Sequence, residues 1–147
     1  MGKSFFNNIL ATIDLGDPES SKAVMEGALE LLDDGDTLNI ICVVPSFGTG
    51  VVGSFFPEGF EENALKETKD ALHEFTAAQV PKGTRLQHII GHGNVYEEII
   101  EAANKVDADV IVIGSQRPKL RDYLLGPNAA RVVRHAEQSV VVVRSKN

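Results

Sequence analysis

Short apolar runs, each followed by a polar or glycine-containing segment, recur along the chain. They are residues 8–14 (NILATID), 38–45 (LNIICVVP), 86–90 (LQHII), 110–114 (VIVIG) and 139–144 (SVVVVR). Apolar runs of this length are typical of strands in a parallel sheet, where helices cover both faces. The pattern therefore predicts five β-strands.

The segments between these runs place apolar residues at helical spacing. The first helix is predicted to begin near Pro18 and to end at the turn residues 33–36. A second helix is predicted at 60–79, a third at 95–103 and a fourth from Pro127 onwards. Predicted strands and helices thus alternate along the whole chain.

This alternation predicts an α/β fold. We expect residues 1–147 to form a single domain with an open parallel five-stranded sheet in the order 3-2-1-4-5 and helices on both faces. In such sheets ligands bind beyond the carboxyl ends of the strands, where the strand order reverses. The expected site therefore lies between strands 1 and 4.

The composition is that of one globular domain. The chain has 147 residues, 43% of them hydrophobic, which is enough for one full core. No apolar stretch approaches the ~18 to 20 residues of a membrane span, and the N-terminal apolar run is too short for a secretory signal, so we expect a cytoplasmic protein. The single cysteine, Cys42, lies in the second apolar run and is expected to be a buried thiol.

The chain is acidic overall, with a formal net charge of −7, but one segment is basic. Residues 117–134 hold five Lys and Arg against one acid, a net charge of +4 that leaves −11 elsewhere. This segment connects strand 4 to a helix start, where backbone N–H groups and the helix dipole favour an anion. We interpret it as a phosphate-binding loop, the alternative being a solvated loop. It is too small for a nucleic-acid surface.

Few other residues suggest a metal or catalytic centre. Asp14, at the end of strand 1, is interpreted either as a ligand-facing carboxylate that acts through Mg²⁺ or as a residue that orders the turn at Gly16. Of the four histidines, only His88 and His92 have the spacing of metal ligands, and too few further ligands surround them for zinc. His92 is expected either to line the ligand pocket or to be an exposed loop residue.

Taken together, these segments resemble the universal stress protein (UspA-like) family over essentially the whole chain. The family's phosphate motif is Gly-x-x-Gly, nine residues, then Gly-Ser/Thr, between the fourth strand and the fourth helix. Here Gly114 matches the first glycine, Arg117 stands at the second, and Gly126-Pro127 replaces Gly-Ser/Thr after eight residues. The strings SQRPKLRDYLLGPNAARVVRHAEQSVVVVR and VVPS are similar to the nucleotide-binding F-type branch.

The resemblance implies a Rossmann-like fold of the adenine nucleotide alpha hydrolase type, with ATP, with or without Mg²⁺, bound between strands 1 and 4. Val43 would meet adenine through its backbone, the loop after strand 4 would wrap ribose and phosphates, and the start of helix 4 would hold the phosphate tail. The implied contact residues are Thr12, Ile13, Asp14, Val43, Gly93, Gly114, Ser115, Gln116, Arg117, Gly126, Pro127, Asn128 and Ala129.

Pro127 departs from the family pattern because proline supplies neither a hydroxyl nor an N–H group. The amides of Asn128 and Ala129 are then the nearest donors for a phosphate. Proline does fit the first position of a helix without strain. We expect Arg117 to offset the lost donors, since its guanidinium presents several N–H groups to a phosphate.

Three functions are compatible with these residues. The first is a nucleotide-binding regulator of the stress response, which is favoured because no general base is evident beyond Asp14. The second is a slow ATP hydrolase, in which Asp14 holds Mg²⁺ and Arg117 stabilises charge on the phosphates. The third is an interaction protein that has lost nucleotide binding.

The fifth apolar run predicts an assembly. Residues 139–144 are expected at the sheet edge, and their four consecutive valines carry nothing that discourages strand pairing. A second copy related by a two-fold axis would cover this edge and give a homodimer. The segment 46–59, rich in glycine and phenylalanine, is interpreted as a lid or contact surface that could extend the dimer to a tetramer, or as disordered.

Overall fold

The computed structural model describes residues 5–44, 59–115 and 126–145. No helix in these ranges is long and apolar enough to cross a membrane. The predicted alternation of five strands and four helices is confirmed. The elements are β1 (Asn8–Thr12), α1 (Pro18–Leu31), β2 (Thr37–Val44), α2 (Phe60–Gln79), β3 (Arg85–His92), α3 (Val95–Lys105), β4 (Val110–Gly114), α4 (Pro127–His135) and β5 (Ser139–Val143).

The strands form one parallel sheet in the order β3-β2-β1-β4-β5, which confirms the predicted topology. β1 lies at the centre, with Ile9 paired to Leu38 of β2 on one side and to Val110 of β4 on the other. The chain moves outward from β1 to β3 and then crosses back to β4. The strand order therefore reverses between β1 and β4, and the carboxyl ends of both strands open onto one crevice.

Two hydrophobic cores lie on opposite faces of the sheet. Because successive side chains of a strand point to opposite faces, Ile9 and Ala11 of β1 face α1 and α2, while Leu10 faces α3 and α4. The first core includes Met25 of α1, and the second includes Val132 of α4. The expected arrangement of helices on both faces is confirmed.

Two strand boundaries differ from those expected. Strand 1 ends at Thr12 rather than Asp14, because the Asp14 carbonyl accepts the Asp17 N–H at 2.9 Å and begins a turn. Strand 3 extends to His92 instead of ending at residue 90, since Gly91 pairs with Val43 of β2. The expected end of strand 3 at residue 90 was therefore wrong, and His92 is a half-buried strand residue that does not line the cavity described below. A Cβ on Gly91 would lie 3.2 Å from the Cβ of Glu98, so this glycine permits close packing of α3 rather than a turn.

Candidate functional site

A cavity of about 210 Å³ opens at the carboxyl ends of β1 and β4, where the strand order reverses. Its walls come from β1, β4 and β2, from the first two turns of α1 and α3, and from the start of α4. Most of the residues proposed from the sequence for one site meet around it. They are Thr12, Ile13, Asp14, Val43, Gly114, Gly126, Asn128 and Ala129.

Three other proposed residues are described but do not line this cavity. The N–H of Gly93 donates to the Val44 carbonyl at 3.0 Å, and the N–H of Ser115 donates to the Val143 carbonyl at 3.0 Å. Pro127 is exposed at the first position of α4. The remaining two, Gln116 and Arg117, lie outside the described residues.

The cavity also has lining residues that the sequence did not single out. Ser20 and Ser21 of α1 belong to a segment interpreted only as a helix start. The others are apolar, and their periodicity marks them equally well as core residues: Val24, Ile41, Val95, Ile99 and Ile113. Hydrophobic periodicity alone cannot separate a core position from the apolar wall of a pocket.

Hydrogen bonds fix the turn that follows β1. The Asp14 N–H donates to Oγ of Ser21 at 2.9 Å, and the Ser21 hydroxyl donates to the Asp14 carbonyl at 2.7 Å. Oδ1 of Asp14 accepts the Gly16 N–H at 2.9 Å, and this bond confirms that Asp14 orders the turn at Gly16. The Asp14 side chain is nevertheless exposed and borders the cavity, so its carboxylate is also accessible to a ligand.

Gly114 brings the end of β4 into close contact with the first turns of α1. A Cβ at this position would lie 2.5 Å from Oγ of Ser20 and 3.2 Å from Cγ2 of Val24. The first distance is shorter than any that real Cβ atoms show, so a larger residue would displace Ser20. Gly114 therefore allows Ser20 and Val24 to approach the end of β4 closely.

The first turn of α4 presents a positive environment to the same cavity. Gly126 is the N-cap residue and supplies no side-chain hydrogen bond, and the turn contains no acidic residue. The first amides of a helix lack intrahelical partners, and those of Asn128 and Ala129 lie in this turn. Arg134 and His135 stand in the last turn, where they suit the negative end of the helix dipole. The start of α4 is therefore suited to an anion.

Cys42 is buried in the core beneath the β1–α1 turn, as expected from the sequence. Burial raises the pKa of its thiol, partly offset by a hydrogen bond from the backbone of Leu15. A thiol with a raised pKa is a poor nucleophile at neutral pH. Cys42 therefore has a packing role.

The histidines form no metal centre within the described ranges, where no cluster of three or more His, Cys, Asp or Glu residues occurs. His88 instead stacks on His73 of α2, with ring centroids 3.8 Å apart, and its Nε2 lies 2.8 Å from Oγ1 of Thr76. Burial, together with the neighbouring His73, lowers the pKa of His88. The pair links β3 to α2, away from the cavity.

The sheet order and the crevice between β1 and β4 define a Rossmann-like α/β protein. The sequence model of the Universal stress protein family matches residues 5–144. Universal stress protein G of Escherichia coli O157:H7 is 30% identical over 141 residues, covering 95% of this chain and 99% of that protein. The chain belongs to the universal stress protein family.

Solved structures share the fold. The structure of hypothetical protein MJ0577 superposes with a TM-score of 0.80 at 22% identity and covers 96% of this chain and 97% of that one. The universal stress protein of Archaeoglobus fulgidus in complex with dAMP superposes with a TM-score of 0.62 at 20% identity, covering 96% of this chain and 99% of that one. At these identities the likeness concerns the fold.

Proposed function

We propose that residues 1–147 act as a single universal stress protein domain that binds ATP in the crevice between β1 and β4 and serves as a cytoplasmic regulator of the stress response. The observation that carries this proposal is the cavity at the reversal of strand order, with the first turn of α4 on its wall. The Archaeoglobus fulgidus relative in complex with dAMP supports an adenine nucleotide as the ligand class.

The cavity lining has an apolar part and a polar part, which suit the base and the phosphates of a nucleotide. Ile41, Val95 and Ile99 give it an apolar wall beside Val43, which fits a flat base. At the start of α4, Asn128 and Ala129 offer the amides of the first turn to phosphates. ATP would then lie across the ends of β1 and β4.

Mg²⁺ is part of the proposal through Asp14. Mg²⁺ is usually held by one or two protein carboxylates together with phosphates and waters of the substrate complex. Asp14 is the one carboxylate that lines the cavity among the described residues. This donor set fits a magnesium ion that arrives with ATP and does not fit a site made of protein ligands alone.

Calorimetry tests the proposal after any endogenous ligand has been removed and its mass determined. We expect the wild type to bind ATP and Arg117→Ala to bind roughly tenfold to a hundredfold more weakly, because one charge-assisted hydrogen bond contributes about 1.5 to 3 kcal/mol. Arg85→Ala is the matched control, since Arg85 begins β3 at the opposite end of the sheet. A stripped wild-type protein that binds no ATP would refute the proposed function.

We also propose a homodimer formed along β5, residues 139–144, with the segment 46–59 as a further contact in a tetramer. The segment 46–58 lies outside the described residues. β5 is the outermost strand next to β4, and its four valines are half-buried. A second β5 would cover this edge. Val141→Pro should give monomers or insoluble protein, and a wild type that sediments as a monomer at micromolar concentration would contradict the dimer.

A further inference from the structure

Two consecutive serines of α1 line the cavity but use their hydroxyl groups differently. The Ser21 side chain is buried, and its hydroxyl exchanges two hydrogen bonds with the backbone of Asp14, at 2.9 and 2.7 Å. The single proton of the Ser21 hydroxyl and one of its two acceptor lone pairs are therefore already used within the protein. Ser21 belongs to the fold of the turn rather than to a ligand.

The Ser20 hydroxyl, in contrast, has no hydrogen-bond partner among the residues that the structure describes. Only its backbone is engaged, through an N–H that donates to Oδ1 of Asp17 at 3.2 Å. The side chain is half-buried and borders the cavity. A Cβ on Gly114 would come within 2.5 Å of its Oγ, which locates the hydroxyl directly beside the end of β4. A polar group in this position is a donor and an acceptor for a ligand.

The charges around Ser20 indicate which part of a nucleotide it meets. Asp14 borders the cavity, and Asp17 and Glu19 begin α1, so this wall is acidic. Asp17 also occupies the helix N-terminus as its cap. A phosphate that is not shielded by Mg²⁺ would be repelled here, whereas the first turn of α4 has no acid. A neutral sugar hydroxyl, which both donates and accepts, fits the α1 wall.

We propose that the Ser20 hydroxyl hydrogen-bonds a sugar hydroxyl of the bound nucleotide. The contact rests on the proposed function, because it requires a nucleotide in the crevice. It divides the site into an α1 wall that contacts the sugar and an α4 wall that contacts the phosphates. Gly114 leaves room for the Ser20 hydroxyl at the cavity, because a Cβ at position 114 would lie 2.5 Å from the Ser20 Oγ.

The test is calorimetry of the wild type and of Ser20→Ala with four ligands: ATP, 2′-deoxy-ATP, 3′-deoxy-ATP and adenosine. One lost neutral hydrogen bond should raise the dissociation constant of Ser20→Ala for ATP roughly threefold to tenfold. The penalty should persist with adenosine and vanish with the deoxy nucleotide that lacks the partner hydroxyl. Thr68→Val exchanges a hydroxyl for a methyl in α2, which does not line the cavity, and this variant should bind every ligand as the wild type does.

The outcomes separate this contact from the proposed function. A wild type that binds no ATP overturns both, whereas a wild type that binds ATP while Ser20→Ala binds all four ligands equally well overturns the contact alone. A penalty seen with all three triphosphates but absent with adenosine would assign Ser20 to a phosphate and overturn the sugar contact. A lower melting temperature of ligand-free Ser20→Ala would assign the hydroxyl to the fold, which also overturns it.

Discussion

The starts of α1 and α4 both line the crevice. They are alike in sequence position of proline but differ in capping and in charge. Each helix has proline at its first position, Pro18 in α1 and Pro127 in α4. Asp17 caps α1 by accepting the Ser20 N–H, and an acid follows in the first turn. The N-cap of α4 is Gly126, which supplies no side-chain hydrogen bond and is followed by no acid in that turn.

This difference shows that a helix start can serve either the fold or a ligand. At α1 Asp17 accepts the N–H groups of Ser20 and Ser21, so the cap stabilises the protein, and its negative charge leaves little attraction for an anion. At α4 the first amides and the positive end of the dipole remain for another partner. The same structural element thus provides an acidic wall for the uncharged part of a ligand and a positive wall for its phosphates.

The largest effect should come from giving α4 the acid that it lacks. Asn128→Asp adds a carboxylate to the first turn, beside the proposed phosphates, and should weaken ATP binding by on the order of 3 kcal/mol, or about a hundredfold. The same charge interacts favourably with the helix dipole, so the ligand-free protein should gain about 0.3 to 1 kcal/mol in free energy of unfolding. Calorimetry and urea unfolding measure the two opposite changes.

Asn63→Asp is the matched control for this variant. Asn63 is exposed near the start of α2, away from the cavity, and the substitution adds the same charge. We expect its ATP affinity to equal that of the wild type. If Asn128→Asp also binds ATP normally, the phosphates do not lie at α4 and the comparison between the two helix starts fails.

On the α1 side, Ser21→Ala should reduce stability. The substitution removes both hydrogen bonds between this hydroxyl and the backbone of Asp14. The partly buried N–H and carbonyl of Asp14 each lose the bond to Ser21. A loss of about 2 kcal/mol in free energy of unfolding is expected. Urea unfolding measures it, and Ser20→Ala is the control, because the Ser20 hydroxyl has no partner among the described residues. A loss below about 0.5 kcal/mol would mean that other contacts hold the turn.

The sequence predicted the sheet order and the end of the sheet that carries the site, because strand and helix periodicities are strong signals and parallel connections allow few topologies. It could not separate the roles of Ser20 and Ser21, since both fit a helix start equally well. Their difference depends on a tertiary contact, the approach of Gly114 to α1, that spans 94 positions along the chain.

Strand ends and pocket walls were predicted less well for a similar reason. Gly91 looks like a turn glycine in sequence, but packing against Glu98 of α3 explains it, and such packing has no local signal. Ile41 and Ile99 have the periodicity of core residues whether or not a ligand touches them. The roles proposed for Gln116 and Arg117 lie outside the described residues and remain predictions.

A smaller effect is expected when the cap of α1 is removed. Asp17→Ala eliminates the acceptor for the Ser20 N–H and should lower the free energy of unfolding by about 1 kcal/mol. Asp17→Asn keeps a capping oxygen without the charge and should retain nearly all of the stability. Thermal unfolding compares the two variants. Equal losses in both would show that charge, rather than the capping hydrogen bond, is what Asp17 contributes.

The smallest effect tests the two prolines as a pair. Pro127→Ser restores an N–H and a hydroxyl at the start of α4, where the phosphates are proposed to bind. One added neutral hydrogen bond contributes about 1 kcal/mol, so ATP affinity should rise about fivefold. Pro18→Ser makes the same change in α1, where Asp17 already caps the helix, and should leave ATP affinity unchanged.

Both variants lose proline's rigidity and should lose a similar ~0.4 to 1 kcal/mol in free energy of unfolding. Calorimetry measures the ATP affinity of the two variants. Equal gains in affinity would mean that both helix starts contact phosphate. No gain in either would mean that Asn128 and Ala129 already supply the donors.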